Sequence, residues 1–171
     1  MSKSSKKSGP NKSTGTPATV ALDRAKVPHT LHSYEHDPRA HHFGEEAAVA
    51  LGIDPERIFK TLVVELTSAD VPLVTAVVPA SGQLSLKAIA SATHAKRAEL
   101  APPAVAQRTT GFIVGGISPI GQKHQTPVYL DASAREQQTI FVSAGRRGLS
   151  VEITAQDLAE LTGAQFAELG C

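Results

Sequence analysis

The chain has 171 residues, 41% of them hydrophobic, which suits one domain with a substantial core, and no apolar run approaches the length of a membrane span. Its one cysteine, Cys171, excludes an intramolecular disulfide and a cysteine zinc cluster. Net charge is +1, but Lys3, Lys6, Lys7 and Lys12 stand together without an acid, and the remainder carries 13 basic against 16 acidic residues, so the body is no general nucleic-acid binder.

Residues 1–15 are mostly Ser, Lys and Gly and read as a disordered basic arm, while residues 16–171 read as a single domain. The first residues hold no apolar signal region, so a cytoplasmic location is expected. Thr16 ahead of Pro17 predicts a capped helix running to about Lys26, ended by Pro28. Over residues 29–35 alternation puts Thr30, His32 and Tyr34 on one face of a strand and Leu31, Ser33 and Glu35 on the other. The nearby histidines, His29, His32, His36, His41 and His42, lack the metalloprotease spacing, and no metal or other cofactor is expected. Residues 44–51 have helical composition, with Gly52 as C-cap and Phe43 entering from the turn before.

The most telling strand covers residues 58–66. On the two-residue period Lys60 shares a face with Leu62, Val64 and Leu66, while Phe59, Thr61, Val63 and Glu65 take the other. A lysine opening an apolar face admits two readings. It snorkels to water at a strand end, or it stands at the mouth of a cavity to hold a phosphate or ribose or to polarise a carbonyl. A hairpin partner follows over residues 72–79. Ser85 caps a helix to about Thr93 with Leu86, Ile89 and Ala90 inward; a short strand over 96–100 and a helical turn from Pro103 to Arg108 come next.

Residues 111–121 read Gly-Phe-Ile-Val-Gly-Gly-Ile-Ser-Pro-Ile-Gly. The apolar run 112–114 reads as a buried strand stopped by Gly115 and Gly116, and Pro119 holds Ser118 extended. Successive N–H groups around Gly115, Gly116 and Ile117 then suit an oxyanion or a phosphate. The loop fits neither a nucleophile elbow, a P-loop nor a dinucleotide fingerprint, and the remaining alternative is a tight turn between core strands. Strands are expected near 128–131, 139–143 and 149–153. Thr154 with Asp157 resembles the capping box of a last helix ending near Gly163. About seven strands and four or five helices without βαβ alternation imply an α+β fold, a mixed, curved sheet or partial barrel with helices outside. In it Lys60, Gly115 and Ser143 would meet at one mouth.

Five ordered motifs, Tyr34-Glu35-His36-Asp37-Pro38, Phe59-Lys60-Thr61-Leu62, Val105-Ala106-Gln107-Arg108, Gly115-Gly116-Ile117-Ser118-Pro119 and Val142-Ser143-Ala144-Gly145-Arg146-Arg147-Gly148-Leu149, closely resemble the YbaK/EbsC family, free-standing relatives of the bacterial prolyl-tRNA synthetase editing domain. The likeness spans about residues 16–167. It implies an enzyme that hydrolyses cysteine mischarged on proline tRNA in trans, with aminoacyl-tRNA as substrate and prolyl-tRNA synthetase as a candidate partner. It implies Lys60 as the residue of greatest consequence and a Gly115-to-Pro119 loop facing the scissile ester, with the Gly115 and Gly116 N–H groups steadying the oxyanion. Tyr34, Phe43, Thr61, Gly116, Ile117, Ser118, Pro119 and Ser143 correspond to positions around the substrate. The family's chemistry is substrate-assisted: the cysteinyl thiol attacks its own carbonyl carbon. Relatives often carry Asp where this chain has Ser150, with Asp131 a candidate substitute. Alternatives are clearance of alanine or serine, a non-catalytic tRNA- or synthetase-binding module, and a small-nucleotide binder.

Overall fold

A computed structural model describes residues 15–170; most of the basic arm and Cys171 lie outside the described residues. Helix α1, Pro17–Ala25, starts where Thr16 Oγ1 accepts the Thr19 N–H, and the same hydroxyl donates to Ala144 O at 2.6 Å. That bond ties the helix to a strand 128 residues away. Strand β1 is Thr30–Ser33, helix α2 is Phe43–Leu51, and Gly52 closes α2 in the left-handed region at φ 67°.

Strand β2, Phe59–Thr67, forms an antiparallel hairpin with β3, Leu73–Pro79, and α3, Leu86–Ala92, follows a Ser85 cap. Strand β4, Arg97–Leu100, pairs only with Val64–Thr67 of β2, so the first half of β2 keeps one edge bare of β4. Helix α4, Pro103–Thr110, leads through a long loop to β5, Val128–Asp131. Strands β6, Ile140–Arg146, and β7, Leu149–Ile153, form the second hairpin; helix α5, Ala155–Thr162, and strand β8, Gln165–Ala167, complete the described chain.

The eight strands divide into a five-stranded mixed sheet, β4-β2-β3-β5-β8, and a three-stranded antiparallel sheet, β1-β7-β6. This is the α+β architecture expected, with the strands divided between two sheets. The sheets meet at one parallel bridge, Ile58 to Phe141. Alternation along β2 decides which core each side chain enters. Phe59 and Val63 join the main core with Leu22 of α1, Val142 and Val151 of the small sheet, and Leu158 of α5, while Val64 joins Val74, Val78 and Ile89 on the opposite face. A third cluster packs Ala47 and Ala48 of α2 on Ile58 and Phe141, and so roofs the bridge.

Two sequence expectations change. Residues 112–114 form a turn and not a strand: Gly111 caps α4 at φ 81°, the Thr110 hydroxyl accepts the Phe112 N–H, and Phe112 is buried while Ile113 is half exposed. Leu86 is exposed, because in the first turn of α3 only Ile89 and Ala90 face the sheet. Strand β8, three residues pairing in parallel with β5, had no sequence signal.

Candidate active site

Beyond the Ile58–Phe141 bridge, β2 and β6 belong to different sheets, and a cavity of about 400 Å³ opens with both strands in its wall. That volume lies in the range of about 300–1,000 Å³ usual for small-molecule sites. The bare half of β2 supplies Lys60 and Thr61, β6 supplies Ser143 and Arg146, the glycine loop supplies Gly115 and Ile117, and Tyr34, Phe43 and Ser150 complete the wall.

Lys60 donates from Nζ to Gly82 O at 2.8 Å, in the turn after β3. An ammonium has three donors, so this anchor orients the group and leaves hydrogens for a ligand. Thr61 Oγ1 is buried without a hydrogen-bond partner, as is Arg146 Nε. Buried polar atoms are satisfied in the great majority of cases, so two orphans in one cavity wall mark where a ligand's acceptors belong.

Gly115 is the third residue of a turn closed by Gly116 N–H on Ile113 O at 2.8 Å, and its φ is 92°. A type II turn reserves that position for glycine and leaves its N–H pointing outward. Space imposes the same choice: a Cβ there would lie 2.8 Å from Arg147 Nε and from Phe43 Cε1. The Arg147 guanidinium sits 5.1 Å above the Phe43 ring and its Nε donates to Val114 O, so the loop rests on an Arg–Phe stack. His36, paired with Glu46 at 2.8 Å, borders Phe43 on another side. The N–H groups of Gly115 and Ile117 have no acceptor among the described residues.

The other loop candidates are placed differently. Gly116 spends its N–H inside the turn and lies against the Arg146 backbone, so it has no free N–H to offer a ligand. Ser118 and Pro119 do not border the cavity; both are buried, with Ser118 Oγ accepting the Ile120 N–H and the two carbonyls accepting from Gln122 and Gln125. Asp131 binds Ser133, Leu169 and Gly170 as a turn and terminus clamp and is absent from the cavity wall. Arg146 also lines the cavity, a residue to which sequence reasoning gave no site role; the glycine beside it, Gly145, was the available signal of a bulge.

Burial raises the Tyr34 phenol above its ordinary pKa, and the Glu46 carboxylate adds to the effect, so Tyr34 is a neutral donor at physiological pH. No described serine hydroxyl in the wall is hydrogen bonded to a histidine. Ser143 Oγ accepts the Gly145 N–H, and His32, opposite Ser150 in the β1–β7 register, turns Nε2 to Glu152 at 3.0 Å. Among the described residues no three His, Cys, Asp or Glu side chains are grouped to hold a metal ion. The mostly apolar wall thus also carries N–H, O–H and ammonium donors, the kind of group that stabilises negative charge on an oxygen.

This α+β fold is shared with solved structures of other proteins. One solved structure, described as "a putative trans-editing enzyme for prolyl tRNA synthetase", superposes with a TM-score of 0.80 at 24% identity, covering 91% of this chain and 95% of that one. Residues 37–161 match the family model of the aminoacyl-tRNA editing domain. The chain is 39% identical over 154 residues to the Enterococcus faecalis protein named "Putative Cys-tRNA(Pro)/Cys-tRNA(Cys) deacylase EbsC", covering 90% of this chain and 92% of the relative. It is 32% identical over 118 residues to the uncharacterized protein YwhH of Bacillus subtilis, covering 69% and 73%. The chain belongs to the aminoacyl-tRNA editing domain family.

Proposed function

We propose that this chain is an aminoacyl-tRNA deacylase that removes cysteine mischarged on proline tRNA, in trans, after the synthetase has released it. The observation that carries this reading is the cavity, which Lys60, Thr61 and Gly115 all line without a nucleophile coupled to a base. Likeness to a protein named as a Cys-tRNA(Pro)/Cys-tRNA(Cys) deacylase supports the substrate. Cysteine and proline are close in size, so a synthetic site separates them poorly and a second site has to clear the errors.

With no protein nucleophile required, the substrate thiol attacks its own ester carbon. The S–C bond forms as the carbonyl electron pair moves to oxygen. The oxyanion is met by the Gly115 N–H, with Thr61 Oγ1 a further donor in the wall. Collapse breaks the bond to the ribose oxygen, which leaves with the proton given up by the thiol, and the thiolactone then opens in water. Lys60, steadied by Gly82 O, holds the ribose end of the ester near the leaving oxygen.

Residues 16–171 act as one catalytic domain, in the cytoplasm; no helix among the described residues is long and apolar enough to cross a membrane. The acidic excess of the body leaves few cations to neutralise phosphates, so delivery of the tRNA by prolyl-tRNA synthetase fits the charge balance. A second reading, a broader amino-acid range, rests on Ser150, which is buried in the cavity wall at the position where the resemblance often puts Asp. Side-by-side deacylation of cysteinyl-, alanyl- and seryl-tRNA(Pro) tests both points. Turnover of the cysteinyl ester alone is expected. Equal rates on alanyl-tRNA(Pro), which has no thiol, overturn the thiol-assisted route, and no turnover of any leaves only a binding module.

A further inference from the structure

Arg146 owes its position to a break in the β6–β7 ladder. Pairing runs in register to Ser143 opposite Ser150, then resumes with Arg146 opposite Leu149, so Ala144 and Gly145 form a bulge with Gly145 at φ 104°. Bulges of this kind re-aim a side chain beside a functional site. Gly116 of the loop presses on the same point, since a Cβ there would come 2.7 Å from Arg146 Cα. Two glycines thus fix the Arg146 backbone between loop and hairpin, and the side chain enters the cavity wall.

The neighbouring arginine is fully engaged: Arg147 donates to Val114 O and covers the Phe43 ring. The Arg146 side chain has no hydrogen bond or ion pair among the described residues, and its Nε is buried. A guanidinium stays charged at every physiological pH, so leaving its buried Nε–H unpaired is costly unless a ligand supplies the acceptor. Its planar fork matches the paired oxygens of a phosphate. Lys60, the other cation in the wall, already has one donor tied to Gly82 O.

We infer that Arg146 binds the phosphodiester group on the 5′ side of the terminal nucleotide of the aminoacyl-tRNA, while Lys60 serves the ester and ribose. This rests on the deacylase reading, because the only anions at the acylated end of a tRNA are its phosphodiesters. Arg146 then reads the nucleic acid at the point where the amino acid enters, and a free amino-acid ester lacks that contact.

The test compares cysteinyl-tRNA(Pro) with 2′(3′)-O-cysteinyl-adenosine, which carries the same ester and no phosphate, on wild type, Arg146→Ala and Arg146→Gln. The ratio of kcat/KM for tRNA over nucleoside ester is expected to fall roughly 10- to 100-fold in both variants, mostly through KM, as for loss of a hydrogen bond to a charged group. Thermal midpoints monitor folding, and Arg146→Gln retains the aliphatic stem should the alanine variant fold poorly. An unchanged ratio overturns the inference, whether both substrates lose equally or neither does. Failure of the wild type on both substrates overturns the deacylase reading and this inference with it.

Discussion

Replacing Gly116 by alanine tests whether the loop and the β6–β7 hairpin are held at the separation the site needs. An added Cβ would lie 2.7 Å from Arg146 Cα and 2.9 Å from Arg146 C and Arg147 N, all of them backbone atoms with no rotamer to escape into. Ordinary contact begins near 3.4 Å, so loop and hairpin must part by about 0.7 Å in a region packed as densely as a crystal. Gly116 is not among the glycines at positive φ, so the substitution adds overpacking without backbone strain. Overpacking of this kind costs about 1–3 kcal/mol. In a chain of this length that is roughly 2–12 °C in thermal midpoint. The larger effect is on catalysis: moving the Gly115 N–H and Arg146 apart by most of an ångström is expected to reduce kcat/KM about 100-fold. Release of labelled cysteine from cysteinyl-tRNA(Pro), read alongside a melting curve, measures both. Wild-type turnover and an unchanged midpoint would refute the claim that this contact sets the site's geometry.

Thr61→Val removes a buried hydroxyl that has no partner, so stability should hold or rise, by up to ~1 kcal/mol, while kcat/KM falls about 10-fold; melting and turnover moving down together would assign Thr61 to packing. The Glu152 carboxylate is held below its ordinary pKa of 4.5, first by the Thr139 hydroxyl and further by His32 and Arg57. A depressed folded value contributes stability that is present above the ordinary carboxylate pKa and lost as pH falls through the folded one. Glu152→Gln should therefore melt below wild type at neutral pH, and the gap should close in acid; a gap independent of pH would contradict the assignment. Thr154 Oγ1 accepts the Asp157 N–H at the start of α5, so Thr154→Ala should cost about 1 kcal/mol in melting and leave kcat/KM unchanged.

The local chemistry of the chain was legible because it is local. Thr16, Ser85 and Thr154 cap helices with their own side chains, Gly52 and Gly163 close two helices in the left-handed region, and alternation along β2 sorts its side chains between two cores. What failed to read was decided at a distance. Residues 112–114 look like a strand by composition, but Phe112 is drawn into the main core by a loop that no strand pairs with. Ser118 and Pro119 sit in a plausible anion cradle until Gln122, bonded to Thr75 and to the Ser118 carbonyl, draws them inward. Strand β8 exists only because β5 offers it an edge. Arg146 looks like a surface cation in sequence and becomes a cavity residue through the bulge at Gly145 and the close approach of Gly116. Lys60, half-buried at the bare half of β2 with its ammonium turned to Gly82 O, is the case where the two-residue period identified an oddity and the topology put it in a cavity wall.

The most direct measurement is the rate at which purified Lys60→Ala and wild-type protein release cysteine from cysteinyl-tRNA(Pro), with circular dichroism confirming that both are folded. Among the described residues the one side-chain hydrogen bond lost is that to Gly82 O, so the variant should keep its secondary structure while its turnover drops to the uncatalysed background. Turnover by Lys60→Ala close to wild type would contradict the assignment of this cavity as the site of deacylation.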